Sequence, residues 1–85
     1  MAVLIRAEGD SEQVVPKSGA TFRLEELQGY VGGYISTVLC PGSASLLVVN
    51  DDGLIHGLPE NDAAARIAGR RIVGDVVLCK PEELD

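Results

Sequence analysis

Two cysteines and one histidine are the residues of this chain with the chemistry for nucleophilic catalysis. Cys40 or Cys79 would supply a thiolate, and His56 would supply a base. Such a pair needs a third group that orients the base, and nothing in the sequence specifies one. The competing interpretation is two packed thiols at strand ends and a histidine in a hairpin. We favour it, and therefore predict no catalytic residues and a protein that is not an enzyme.

The adjacent carboxylates of Asp51 and Asp52 are the next candidates, as metal ligands. In an extended backbone, neighbouring side chains point in opposite directions, which separates the two groups. The pair also lacks the alternating oxygen ligands and distal glutamate of a calcium loop. The chain has a single histidine and no cysteine–histidine cluster with zinc spacing. We predict no metal site and no cofactor.

A third group of residues could bind a planar anion. Arg70 and Arg71 form a cationic pair, and Asn61 precedes a predicted helix. Tyr30 and Tyr34 offer rings for stacking on a nucleotide-like ligand. The competing interpretation is a solvated arginine pair and tyrosines half-buried on a small core. The candidate surface for a ligand or partner comprises Tyr30, Gly32, Gly33, Tyr34, Asn50, Asp51, Asn61, Arg70 and Arg71.

Length and charge limit the classes of function. The 85 residues suffice for one small domain, and 46% of them are apolar, which is far too many for a disordered chain. The formal net charge of −6 disfavours direct binding to DNA or RNA, because phosphate contacts depend on lysine and arginine. No apolar run is long enough to span a membrane, and residues 1–10 do not resemble a signal peptide. We expect a cytoplasmic location in the host cell.

A helix followed by a strand is the clearest element to position these residues. Thr21 is the expected N-cap, and Leu24, Leu27 and Val31 recur at helical spacing as one apolar stripe. The pair Gly32-Gly33 ends the helix, because glycine adopts the left-handed cap conformation without steric cost. The pair is either a helix stop alone or a bare patch of backbone that a ligand or partner can approach.

The remaining segments read as strands, turns and a second helix. Asp52-Gly53 between two apolar runs predicts a hairpin, and Asn61 or Asp62 is expected to cap a short helix that Gly69 ends. Gly74-Asp75 inside the last apolar run indicates a bulge or a close backbone approach. The predicted strands cover residues 2–7, 13–15, 34–39, 46–49, 54–56 and 72–78.

This order of elements predicts an α+β fold. Tight hairpins combined with two helices favour a small, mainly antiparallel sheet of about five to six strands. We assign residues 1–79 to a single domain and residues 80–85 to a polar C-terminal tail that is expected to fray.

Four short motifs follow one another along the chain: Gly32-Gly33-Tyr34-Ile35, Val48-Val49-Asn50-Asp51-Asp52-Gly53, Leu58-Pro59-Glu60-Asn61 and Ile72-Val73-Gly74-Asp75-Val76-Val77-Leu78. This ordered set resembles a family of small domains of unknown function encoded by phages and bacterial mobile elements. Members of that family often carry an acidic residue directly after the GGYI-like segment, where this chain has Ser36. The resemblance implies a small fold and a phage-like or mobile-element origin, but no activity.

Acidity without a nucleic-acid motif favours a protein partner. We therefore expect a non-enzymatic accessory protein that binds a host protein, in an anti-defence or host-takeover role. The small core and the apolar last strand favour a homo-oligomer as well. The alternative is a protein that binds or sequesters a nucleotide-like small molecule through Tyr34, Asn61, Arg70 and Arg71.

Overall fold

The computed structural model describes residues 2–84 and shows one antiparallel sheet between two helices. The sheet has five strands in the order β2-β1-β5-β4-β3. The prediction of a small α+β fold is confirmed. No helix within these residues is long and apolar enough to cross a membrane. In chain order the elements are β1 (Ala2–Ile5), β2 (Ser11–Val14), α1 (Leu24–Val31), β3 (Ile35–Leu39), β4 (Leu46–Asn50), α2 (Asp62–Ala68), β5 (Val76–Cys79) and a 3-10 turn (Pro81–Glu83).

Every pairing in the sheet is antiparallel, and the two hairpins lie at its edges. β1 pairs with β2, and β3 pairs with β4. β5 enters last and lies between β1 and β4, so that it joins the two hairpins. Val76 and Val77 of β5 are both 0% exposed, so both faces of this strand are covered.

Two separate cores flank the sheet, one on each face. Successive side chains along a strand point to opposite faces, and β4 shows this directly. Leu46 and Val48 pack under α1 in one cluster, whereas Leu47 and Val49 pack under α2 in the other. The domain is therefore a three-layer sandwich of α1, the sheet and α2.

The predicted strand at residues 54–56 does not exist, and the Asp52-Gly53 hairpin is wrong. β4 is already paired with β3 on one side and β5 on the other, so no edge is left for a returning strand. The chain forms continuous turns over residues 51–57 instead. The backbone N–H of Leu58 donates to the Gly53 carbonyl at 3.0 Å, which closes the loop. We call residues 51–57 the β4 loop.

Helix α1 starts later than its sequence predicts. Its N-cap is Arg23 and not Thr21, and the Glu26 carboxylate accepts from the Arg23 backbone N–H at 3.3 Å. Leu24 is 52% exposed, so it does not belong to the buried stripe; Phe22, just before the helix, is fully buried in its place. The helix ends as predicted at Gly32, which has the left-handed φ of 82°.

The C-terminal third of the chain closes the fold. The Asn61 side chain accepts from the Ala64 backbone N–H at 3.1 Å and caps α2, as predicted. A Cβ on Gly74 would lie 2.8 Å from Leu58 Cδ1, which confirms a close backbone approach there. Residues 81–84, within the segment that is predicted to fray, contact the rest of the domain: the Phe22 N–H donates to the Glu83 carbonyl at 2.7 Å, and Leu84 packs against the α1 core.

Candidate functional site

A groove of about 350 Å³ lies beside the β4 loop and brings together four of the predicted site residues. It is lined by the first part of the β4 loop, by the segment that follows α2, and by residues of β3 and β4. Asn50, Asp51, Arg70 and Arg71 are the predicted residues that line it. Ser36, at the position where the resembling family often has an acid, lines it too.

The charges at this groove are largely balanced. The Arg71 Nε donates to both carboxylate oxygens of Glu60, at 3.0 and 2.8 Å. Within residues 2–84, Arg70 is the arginine of the groove for which we find no ion-pair partner. Asp51 and Asp52 add two negative charges to the lining of the groove. Among the described residues that line the groove, Arg70 is therefore the cation with which an anionic ligand could pair.

Both asparagines of the candidate surface are structural. Asn50 is 7% exposed, and its Nδ2 donates to the Val31 carbonyl at 3.1 Å. Its Oδ1 accepts from the Asp52 N–H at 2.8 Å, which ties the end of α1 to the start of the β4 loop. Asn61 is 1% exposed and donates from Nδ2 to two backbone carbonyls, those of Ile5 and Gly74. A ligand arriving from solvent cannot reach Asn61.

The two tyrosines do not form a shared stacking platform. Tyr30 is half-buried, and its ring meets Phe22 edge to face at a centroid distance of 6.4 Å. Tyr34 is 72% exposed and lines a second, shallow depression of about 670 Å³ together with Gly33 and His56. Gly32 is the cap of α1. The predicted nucleotide contacts are therefore divided among the groove, the depression and the interior.

Two aliphatic side chains of the β4 loop are the part of this surface that sequence reasoning missed. Leu54 is 65% exposed and Ile55 is 84% exposed, and both line the groove. Their apolar character led to their assignment as a strand. Two adjacent aliphatic side chains in water do not stabilise the isolated domain. Covering them with another apolar surface is favourable.

The two thiols are poorly placed for chemistry. Cys40 packs in the α2 core and Cys79 in the α1 core, on opposite faces of the sheet. Burial raises the pKa of Cys40, and burial raises the pKa of Cys79 to about 11. A thiol with a raised pKa carries little thiolate at neutral pH and is a weak nucleophile. His56 is exposed on the β4 loop.

The model of the family described as domain of unknown function DUF3846 matches residues 1–85. The chain belongs to this family. No curated protein gives a significant match, and no solved structure does. The predicted resemblance to a small domain of unknown function is thus confirmed.

The groove of this DUF3846 domain is lined by aliphatic and charged side chains together. Leu54 and Ile55 line it beside charges of both signs, at Asp51, Asp52 and Arg70. Apolar contact area combined with polar groups is typical of protein–protein interfaces. A small-molecule site usually has converging polar groups in an enclosed cavity, and the most enclosed polar groups here, Asn50 and Asn61, are occupied within the fold.

Proposed function

We propose that this DUF3846 domain is a non-enzymatic binding module that engages another protein through the β4 loop and the groove beside it. The exposure of Leu54 and Ile55, at 65% and 84%, is the observation that carries the proposal. In the phage or mobile-element setting that the sequence resemblance implies, the partner is a host protein met in the cytoplasm. The domain then acts by occupying a surface of that protein.

The chemistry of the surface defines the partner's side of the contact. Leu54 and Ile55 require an apolar depression, since aliphatic anchors contribute most when a pocket covers them completely. Asp51 and Asp52 beside them, on a chain of net charge −6, favour basic or neutral residues around that depression. An acidic partner surface would be repelled. Charge in this arrangement contributes to the rate of association and to the choice of partner.

A nucleotide-like ligand is the second candidate, and one observation supports it. Arg70 lines a groove of about 350 Å³ and pairs with none of the described carboxylates. The other expected contacts are weaker: Arg71 is paired with Glu60, Asn61 is buried, and Tyr34 lines a different depression. The protein-binding proposal therefore ranks first.

The test compares capture of proteins by matched variants. Affinity-tagged wild type, the double variant Leu54→Ser with Ile55→Ser, and the control Leu24→Ser are incubated with lysate of the natural host. Leu24 is also an exposed leucine, at 52%, but it lies in the first turn of α1. None of these substitutions changes the net charge. We expect wild type and Leu24→Ser to capture the same specific protein. The double variant should bind that protein, once purified, at least about tenfold more weakly. A tenfold loss corresponds to about 1.4 kcal/mol, which is within the usual contribution of apolar anchors in an interface.

Two results would contradict the proposal that the β4 loop binds a protein. Equal affinity of the double variant and wild type for the captured protein would show that Leu54 and Ile55 do not contribute to the interface. A discrete nucleotide-sized mass retained in native mass spectrometry by wild type, and lost in Arg70→Ala, would establish the small-molecule function instead.

A further inference from the structure

The two edges of the sheet are protected very differently. β2 carries Glu12, and Arg6 forms ion pairs with Glu12 and, at 2.7 Å, with Asp10. Pro16 follows shortly after this strand. Charged side chains and prolines on an edge strand prevent it from pairing with other chains.

β3, on the opposite edge, has no such protection. Its sequence ISTVL contains no charge, no proline and no glycine, and it is among the longest strands of the sheet at five residues. No other strand within residues 2–84 pairs with its outer side. An uncharged, unpaired edge presents free backbone donors and acceptors to another strand.

The hydrogen bonds at the two ends of the β3–β4 ladder show which backbone groups are free. The Asp51 N–H donates to the Tyr34 carbonyl at 2.8 Å, and the Cys40 N–H donates to the Ser45 carbonyl at 3.3 Å. Both contacts belong to the single register of this ladder. Because bonded and non-bonded pairs alternate in an antiparallel ladder, every second pair between these two ends is bonded as well.

This alternation assigns an inward or outward direction to each residue of β3. Ser36 and Val38 lie in the bonded pairs, so their N–H and C=O groups face β4. Ile35, Thr37 and Leu39 lie in the non-bonded pairs, and their N–H and C=O groups face the open edge. The free edge therefore presents three donor–acceptor sets, evenly spaced along the strand.

This pattern is complementary to itself. We propose that β3 pairs antiparallel with β3 of a second copy of the chain, with Thr37 opposite Thr37 on the two-fold axis. Ile35 then lies opposite Leu39 of the other copy, and all three pairs are of the bonded class, with about six backbone hydrogen bonds in total. The two sheets join into one continuous sheet.

The exposure of Leu39 supports a copy of the chain as the occupant. Leu39 is 78% exposed, although it lies on the same face of β3 as Ile35, which packs against the α1 core. In the two-fold pairing, Leu39 contacts Ile35 of the second copy, so each copy covers the other's exposed leucine. β3 itself brings no charge into the contact, which matters for two chains that each carry a net charge of −6.

The experiment is sedimentation from about 1 µM to about 1 mM protein, where mass action shifts the equilibrium toward a dimer. Wild type is expected to dimerise. Leu39→Lys places a charge on the edge and should weaken dimerisation at least about tenfold, because a lysine on an edge strand opposes pairing. Leu24→Lys makes the same change on α1 and should dimerise like wild type. Thr37→Pro removes an outward N–H without breaking a bond to β4, and should also give a monomer.

Amide exchange provides an independent measurement. In the dimer, the amides of Ile35, Thr37 and Leu39 should be protected, and they should lose protection on dilution. Those of Ser36 and Val38 should keep it at every concentration. A wild type that is monomeric throughout, or a dimer unaffected by Leu39→Lys, would overturn the proposal. So would β3 amides that gain protection only when a foreign protein is added. The double variant Leu54→Ser with Ile55→Ser should dimerise normally, which separates this proposal from the protein-binding function.

Discussion

The side-chain amide of Asn50 occupies the space beside Gly33 into which a side chain would project. A Cβ on Gly33 would lie 3.0 Å from Asn50 Nδ2 and 3.6 Å from its Cγ. The same amide donates to the Val31 carbonyl at 3.1 Å, at the end of α1. Gly33 is therefore needed for close packing around a buried polar group, and the glycine pair has an architectural role.

We predict that Gly33→Ala lowers the free energy of unfolding by about 1 to 2 kcal/mol. The added methyl group displaces the Asn50 amide and weakens a buried hydrogen bond, whose loss has a cost of this order. Urea unfolding followed by circular dichroism measures the change.

The matched control is Gly29→Ala. Gly29 lies inside α1, and a Cβ there would have no atom within 4 Å apart from the neighbouring backbone of the helix itself. It should raise stability by about 0.5 to 1 kcal/mol, because alanine is the better helix former. Equal changes in stability for the two substitutions would show that the Asn50 side chain can move away from a Cβ on residue 33 without a loss of stability.

The sequence predicts those elements of this fold that local chemistry decides. Asn61 as the α2 cap and Gly69 as its end depend on residues a few positions apart, and both are confirmed. Residues 54–56 resemble a strand for equally local reasons. Their conformation is set by β5, which begins at Val76, twenty residues after residue 56, and pairs with the edge of β4 that a returning strand would need.

Asn61 joins three parts of the chain, and its removal should be costly. It accepts from the Ala64 N–H and donates to the carbonyls of Ile5 and Gly74. We predict that Asn61→Ala lowers the free energy of unfolding by about 3 kcal/mol, at about 1 kcal/mol for each buried hydrogen bond. Asp62→Ala, at the exposed next position, should cost less than about 1 kcal/mol, the usual limit for a carboxylate at an exposed helix N-terminus. Chemical denaturation measures both, and similar losses would contradict the role given to Asn61.

The candidate site was less predictable from sequence than the fold. Arg70 and Arg71 do reach the groove, as their position beside α2 allowed. The chemistry of Arg71 depends on Glu60, eleven residues earlier, and no local pattern indicates that pairing. Tyr30 and Tyr34 are four residues apart, but the helix ends between them, so they belong to different surfaces. Leu54 and Ile55 are exposed because both edges of β4 are occupied, so residues 54–56 cannot pair as a strand. That is a tertiary effect, which a local pattern does not predict.

Stability should fall at alkaline pH because of Cys79. The side chain is 1% exposed, and burial, followed by the charge of Glu83, raises its pKa from 9.0 to about 11. Below pH 9 the folded and unfolded states both hold the thiol proton. Between pH 9 and 11 the unfolded state loses the proton first, so unfolding becomes easier as pH rises, by up to about 2 to 3 kcal/mol.

Comparison with Cys79→Ala isolates this contribution. The variant should be less stable than wild type at pH 8, because it leaves a small cavity. Its urea midpoint should then decline less steeply up to pH 11. Parallel declines in the two proteins would assign the alkaline loss to other groups.

The C-terminal residues contribute to the core through Leu84. Leu84 is half-buried against the α1 core and forms a β-bridge with Phe22, which is itself fully buried. We predict that Leu84→Ser lowers the free energy of unfolding by about 1 to 2 kcal/mol, the cost of losing a partly buried leucine side chain. Amide exchange at Phe22 should also become faster, since its N–H donates to the Glu83 carbonyl beside the substituted residue. Glu82→Ser, on the exposed side of the 3-10 turn, should change stability by less than about 0.5 kcal/mol. If both variants unfold at the wild-type midpoint, the segment lies on the core without stabilising it.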